Sequence, residues 1–281
     1  MAHLRWSGRP TGERPVLIAA FEGWNDAGDA ATAAIAHLAR RWEAEEFATI
    51  DPEEFYDFTA TRPLIQLHDG VHRSIDWPRN TFSWAHPADT GGVVLLRGVE
   101  PQLRWRTFCA QVLEVATALD CSMVLTLGAL LAEVAHSRPT PVFGNAYDAA
   151  LIERLALEPS HYEGPTGIVG VLHTECAEAG VDSASLWAAV PSYVPSAPSA
   201  KAALALVERS TGLIGATVPT MELTLEAAAY EHEIGELVAE DDATAEYVHQ
   251  LEEQHDHDAM AVQSADDLAE EVERFLREQE K

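Results

Sequence analysis

The chain has 281 residues, with 18 Lys or Arg against 46 Asp or Glu and a formal net charge of −28. This balance argues against a nucleic-acid backbone or an anionic membrane surface as the natural partner, and suits a well-solvated cytoplasmic protein or one whose partner is basic. The length suits one large α/β domain with an appendage, or two small domains, and a hydrophobic content of 47% is ordinary for a globular chain. The change of character at Pro219 described below sets the expected division at a core of residues 1–218 and an extension of residues 219–281. No apolar run approaches a membrane span, and the N-terminal MAHLRWSGRPTGERP lacks the apolar centre of a secretory signal.

Val16 to Phe21 reads as a buried strand, and the alanine-rich stretch Asp26 to Arg41 as a helix. Residues 61–87 alternate apolar and polar side chains about Asp69-Gly70, which predicts an antiparallel hairpin. GGVVLLRGVEP reads as a central strand, RWRTFCAQVLEVATALDC as a helix and SMVLTLGALLAEV as another buried strand. A helix is expected over Ala146 to Leu157, a strand over Gly167 to Leu172, a helix over His173 to Ala179, a strand over Ser185 to Val190 and a helix over Ser199 to Thr211. This order predicts a wound α/β sheet.

Beyond Pro219 the composition shifts. Residues 222–281 hold twenty Asp or Glu against Arg274, Arg277 and Lys281, so this fifth of the chain carries −17 of the charge. Leu223, Ala227, Tyr230 and Ile234 recur at helical spacing, which predicts an amphipathic helix packed on the core, with Glu231 on a solvated acidic face. Leu268, Val272, Phe275 and Leu276 form a second stripe after a stretch, QHDHDAMAVQSAD, that reads as a loose linker.

The turn FEGWNDAGDAA raises the question of a phosphate cradle. Gly23 and Gly28 have the separation of a phosphate loop, but Asp29 and Ala30 stand where Lys and Ser or Thr belong. A phosphate would meet Asp26 and Asp29 instead of a cation. The only lysines are Lys201 and Lys281. The turn is better read as a helix start, with Asn25 or Asp26 accepting from first-turn amides, Asp29 near the positive helix end and Gly23 reversing the chain. Trp24 is left over, as a residue facing a pocket or an interface.

His136 and Arg138 follow a predicted strand at the place where wound sheets bind ligands, so they could hold an anion; the alternative is that Arg138 pairs with a surface acid. Glu22, Trp24, Asn25, Asp26, His136 and Arg138 are therefore the candidate pocket. His173 and Cys176 have the spacing of a base and a thiol but lack an orienting third group, and Cys176 reads as a small buried residue. Cys109, Cys121 and Cys176 imply neither a disulfide framework nor a zinc knuckle. His255, Asp256, His257 and Asp258 alternate on opposite sides of a helix and do not make a metal set. Glu133 and Glu163 are candidate carboxylates for acid/base work, with no pairing legible in the sequence. No catalytic residue, cofactor or metal is assigned.

FEGWNDAGDAATAAIAHL, TLGALLAEVAHSRPTPVFG, HYEGPTGIVGVLHTECAEAG and LWAAVPSYVPSAPSAKAALALVER together resemble the proteasome assembly chaperone 2 family in its actinobacterial branch, over residues 15–260. The resemblance implies a nucleoside-phosphorylase-like core, a central mixed sheet flanked by helices, with a helical C-terminal part. It implies a self-associating, non-catalytic protein of the proteasome assembly chaperone type with protein partners. The alternative is a small-molecule binder or enzyme with a phosphorylase-like pocket. The ATP-grasp or carboxylate-amine ligase label carried by some bacterial members does not suit a chain without a glycine-rich loop and lysines to hold ATP.

Overall fold

A computed structural model describes residues 3–69, 72–88, 90–160 and 162–279, with side chains described through Met260. A short strand β1 (Leu4–Trp6) precedes β2 (Val16–Glu22). Alternation along β2 sends Leu17, Ala19 and Phe21 to one core and Ile18 and Ala20 to the other, all fully buried. Burial on both faces is the condition of an interior parallel strand, and β2 pairs in parallel with β7 (Val93–Val99) and β8 (Met123–Ala132).

The remaining sheet strands are β3 (Glu45–Ile50), β6 (Asn80–Ala85), β9 (Val142–Ala146) and β10 (Ser183–Pro191). The eight strands lie in the order β1-β3-β6-β7-β2-β8-β10-β9. The four at β7-β2-β8-β10 are parallel and the outer pairings antiparallel, so this is the mixed sheet expected. Gly128 allows Trp187 to lie across β8, because a Cβ there would come 2.6 Å from the indole.

Helices cover both faces. α1 (Ala30–Arg41), α3 (Ala149–Leu155) and α5 (Ala200–Ile214) contribute Ile35, Leu38, Leu151 and Leu206 to one core. α2 (Trp105–Ala118) and α4 (Ile168–Glu178) contribute Phe108, Val112, Ile168 and Leu172 to the other. The strand expected over Gly167 to Leu172 is therefore a correction: the run is the first half of α4. A short apolar run between glycines fits a buried helix as well as a strand, and Ile168, Leu172 and Cys176 bury at four-residue spacing. The helix expected from Ala146 begins only at Ala149, because β9 runs to Ala146 and Asp148 caps α3 by accepting from Leu151 N at 2.9 Å.

α6 (Met221–Ala239) buries Leu223, Ala227, Tyr230 and Ile234, the stripe read from the sequence. The end of α1 holds the segment leading into it: His37 Nε2 bonds Pro219 O at 2.9 Å, Trp42 Nε1 donates to Thr217 O at 3.0 Å, and Arg40 and Arg41 pair with Glu222. α7 (Asp242–Gln279) follows and runs through residues 254–266, so the loose linker is corrected to helix; that stretch has no Gly or Pro to break one. The stripe at Leu268, Val272, Phe275 and Leu276 lies outside the described side chains. The hairpin around Asp69 forms as β4 (Leu64–His68) and β5 (His72–Asp76), a two-stranded sheet separate from the main one, while Gly70 lies outside the described residues.

Candidate functional site at the carboxyl edge of the sheet

Four connections leave the carboxyl ends of the parallel strands: residues 23–29 after β2, Glu100 after β7, residues 133–138 after β8 and residues 192–199 after β10. The two candidate loops thus share one sheet edge. Backbone contacts tie them further, with Ala129 N donating to Asn25 O at 2.8 Å and Ser199 N to Gly28 O at 2.7 Å.

Gly23 reverses the chain at φ 130, a conformation that suits a residue without a Cβ. Asp26 then turns inward and is nearly fully buried. Its Oδ1 accepts from Ala31 N at 2.7 Å and Thr32 N at 3.2 Å, and its Oδ2 from the Thr32 hydroxyl. The opening turn is therefore a helix start, with the cap at Asp26. Burial raises the Asp26 carboxyl above its ordinary range, against the opposing bonds from Thr32 and Ala31. Asn25 is also buried and donates through Nδ2 to Glu100 Oε1 at 2.9 Å. The same Glu100 oxygen accepts from Ile168 N at 2.8 Å, so a carboxylate of the chain occupies the positive end of α4. Trp24 and Glu22 are exposed, and Glu22 lies 3.9 Å from Arg97.

His136 is buried beside Tyr193. The Tyr193 hydroxyl accepts from His136 N at 2.8 Å and lies 2.8 Å from Nδ1, so it donates to that nitrogen and leaves the proton of the neutral ring on Nε2. Burial lowers the His136 pKa, which keeps the ring neutral. His136 lines a shallow depression of about 600 Å³ with Glu231, His232 and Glu236 of α6. Asn25 and Asp26 face the interior instead, and Trp24 stands on the surface.

Arg138 forms a forked pair with Asp256, at 2.8 Å from Nε and 2.7 Å from Nη2, and lies 3.6 Å from Glu252. Both acids belong to α7, so the guanidinium fastens that helix to the β8 loop. Lys201 Nζ donates to His136 O at 2.6 Å and to Glu231 Oε2 at 2.5 Å. Glu231, expected on the solvated face, is thus half of an ion pair joining α5 to α6. Glu231→Lys would oppose two ammonium groups where Lys201 is largely buried, so we expect a loss of about 2 kcal/mol in urea unfolding. An unchanged midpoint would show that the pair contributes nothing.

His173 and Cys176 are both buried on α4. His173 Nε2 lies 2.9 Å from Thr126 Oγ1, while burial pushes the Cys176 thiol up to about 12 and keeps it protonated. Burial also depresses the His173 pKa to about 4 from 6.5. The unfolded chain therefore binds the proton first on acidification, and the stability held above pH 6.5 declines as pH falls toward 4. Between pH 7 and pH 5 this single group should remove about 2 kcal/mol. His173→Asn should lose that much less over the same interval in parallel urea titrations; an identical pH dependence in both proteins would contradict the assignment.

Among the described residues no three His, Cys, Asp or Glu side chains are placed to hold a metal ion. Among them too, no helix is long and apolar enough to cross a membrane. Glu100, Tyr193, Lys201 and Asp256 are the edge residues that sequence reasoning missed. Glu100 and Tyr193 each follow a parallel strand, the signal that singled out His136; Lys201 and Asp256 reach the edge from helices, and only packing places them there.

A family model described as the PAC2 family matches residues 20–238, from the end of β2 to the end of α6, and the chain belongs to this family. A PAC2 family protein from Streptomyces avermitilis is similar at 47% identity, with 83% of this chain and 99% of that chain covered and a TM-score of 0.78. A proteasome-assembly chaperone homologue of Mycobacterium tuberculosis is similar at 48% identity over 83% of this chain and 99% of its own, with a TM-score of 0.76. The archaeal proteasome activator PbaB of Pyrococcus furiosus shares the fold at 17% identity, over 83% of this chain and 97% of that one, with a TM-score of 0.65. Among curated proteins none matches the chain.

Proposed function

We infer that this PAC2-family chain is a non-catalytic, self-associating protein that acts by binding other proteins, as a chaperone of proteasome assembly. The likeness at 48% identity to a protein described as a proteasome-assembly chaperone homologue supplies the class of partner. The observation that carries the non-catalytic part is the state of the carboxyl edge. Four groups suited to an anionic ligand are engaged by acids of the chain itself: the first amides of α1 by Asp26, the first amide of α4 by Glu100, Arg138 by Asp256, and Lys201 by Glu231. A ligand there would have to displace charge-assisted bonds already made at short range.

The test is native mass spectrometry of the purified protein mixed with unassembled actinobacterial proteasome α and β subunits. A discrete complex with unassembled subunits, lost once they have closed into a cylinder, is the expected result. Absence of any complex at tens of micromolar subunit would contradict the reading. A site for an anionic ligand at this edge would require engaged groups among these four to be released, and a ligand titration decides that alternative below.

A further inference from the structure

The β4–β5 hairpin is amphipathic, and its apolar face is bare. The register sets Ile65 opposite Ile75 and Leu67 opposite Arg73, with Trp77 next on the same face. The other face carries Gln66 opposite Ser74 and His68 opposite His72, with the His68 ring 2.9 Å from the Ser74 hydroxyl, and, at the root, the exposed Leu64 opposite Asp76. Apart from Leu64 the two faces alternate as a sheet does when one of them is to be covered. Yet Ile65, Leu67, Ile75 and Trp77 are 64%, 62%, 53% and 41% exposed. The root of the hairpin is anchored, because Trp77 meets Phe58 edge to face at 4.8 Å and Phe58 packs against the α2 side of the core. Beyond that root the arm projects with every strand residue exposed.

We propose that this arm docks its apolar face on a second copy of the same chain, in a reciprocal exchange of arms. The proposal rests on the self-association in the function inferred above and names the surface that performs it. Three observations select the occupant. An isolated two-stranded hairpin is marginal in water, so its cover must be permanently at hand, as a second copy is and a transient client is not. Charge gives the same answer. From Arg62 to Arg79 the arm holds three Arg against two Asp, whereas the chain as a whole stands at −28. An apolar and mildly basic arm fits an acidic body, which is what this protein offers its own copy.

Area is the third. Four exposed side chains at on the order of 100 Å² each, matched by equal area on the receiving surface, bury about 800 Å² in one docking event. Stable interfaces bury about 1,200–2,000 Å², so a single arm on a foreign partner falls short, and two arms exchanged about a two-fold axis reach about 1,600 Å².

The experiment is sedimentation velocity on the full chain at micromolar concentration, with two substitutions of equal charge on opposite faces of the same strand. Ile65→Asp places a carboxylate on the apolar face, and Gln66→Asp places one on the polar face one residue away. The parent and Gln66→Asp should sediment as the associated species, and Ile65→Asp as the 30.6 kDa monomer, with far-UV circular dichroism unchanged. As a check that does not depend on an introduced charge, a photo-crosslinking residue at Leu67 should join two copies of the chain in the purified protein. A monomeric parent, an Ile65→Asp variant of parental mass, or a crosslink confined within one chain would overturn the proposal. The two inferences fail separately: a monomeric parent that still captures proteasome subunits removes the arm exchange and the self-association and leaves the binding of proteasome subunits, while an associated parent that captures none does the reverse.

Discussion

Tyr230→Ala should cost about 4 kcal/mol, the usual range for removing a buried aromatic ring, and should loosen both C-terminal helices together. Tyr230 is buried in a cluster with Ala135, Val194, Ile234, Val238, Val248 and Leu251, drawn from the β8 loop, the β10 loop, α6 and α7. The cavity would be shared by elements that the Lys201–Glu231 and Arg138–Asp256 ion pairs also hold against the core. Urea unfolding measures the cost. Limited proteolysis adds the location, since cleavage should appear first between Gly215 and Thr220, the segment ahead of α6. Parental stability and parental resistance to protease would show that α6 is held by something other than its apolar stripe.

Asp26→Ala should be nearly as damaging, at about 3 kcal/mol, because two buried amides and one hydroxyl lose their acceptor at once. Ordinary exposed helix caps contribute about 1 kcal/mol, and the excess here comes from burial. Asp26→Asn makes the sharper test. Its Oδ1 still accepts from Ala31 N and Thr32 N, and the Thr32 hydroxyl can rotate to accept from the new amide. Because burial already disfavours charge at this site, the neutral replacement should retain most of the stability and lose about 1 kcal/mol. Equal losses for Ala and Asn in thermal unfolding would mean that the charge, and not the hydrogen-bond geometry, holds the start of α1.

These residues also mark where the sequence was legible. The central strands could be read because burial on both faces leaves an unbroken apolar run, as in Val16 to Phe21, and the α6 stripe because four residues kept helical spacing. α4 was misread because its first half, Ile168 to Leu172, carries the apolar Val171 on the half-exposed face too, which hides the four-residue spacing of Ile168, Leu172 and Cys176 in a short window. β1 and β3 gave no signal, since a three-residue edge strand and the half-exposed Glu45–Ile50 lack a clean alternation. At the edge, sequence placed the loops of Asp26 and His136 on one side of the sheet, because the rule that sets them there is topological. It foresaw Asp26 accepting from first-turn amides, which Ala31 and Thr32 supply locally. It did not foresee that Asn25 turns inward to Glu100, a partner present only once β7 lies beside β2. Glu231 shows the converse. A solvated acid and a paired one are the same letter until Lys201 of another helix is placed beside it.

The central claim is that the carboxyl edge is closed by the chain's own acids, and thermal unfolding with added ligand tests it most directly. Ligand at about a hundred times its Kd stabilises the native state by about 2.7 kcal/mol, which for a chain of this size raises Tm by several degrees. With millimolar ATP and magnesium, and separately with millimolar nucleosides and inorganic phosphate, Tm should remain at the value of the protein alone. A saturable rise with any of them, lost on replacing Arg138 or Asp26, would contradict the account and point to a working ligand pocket at this edge.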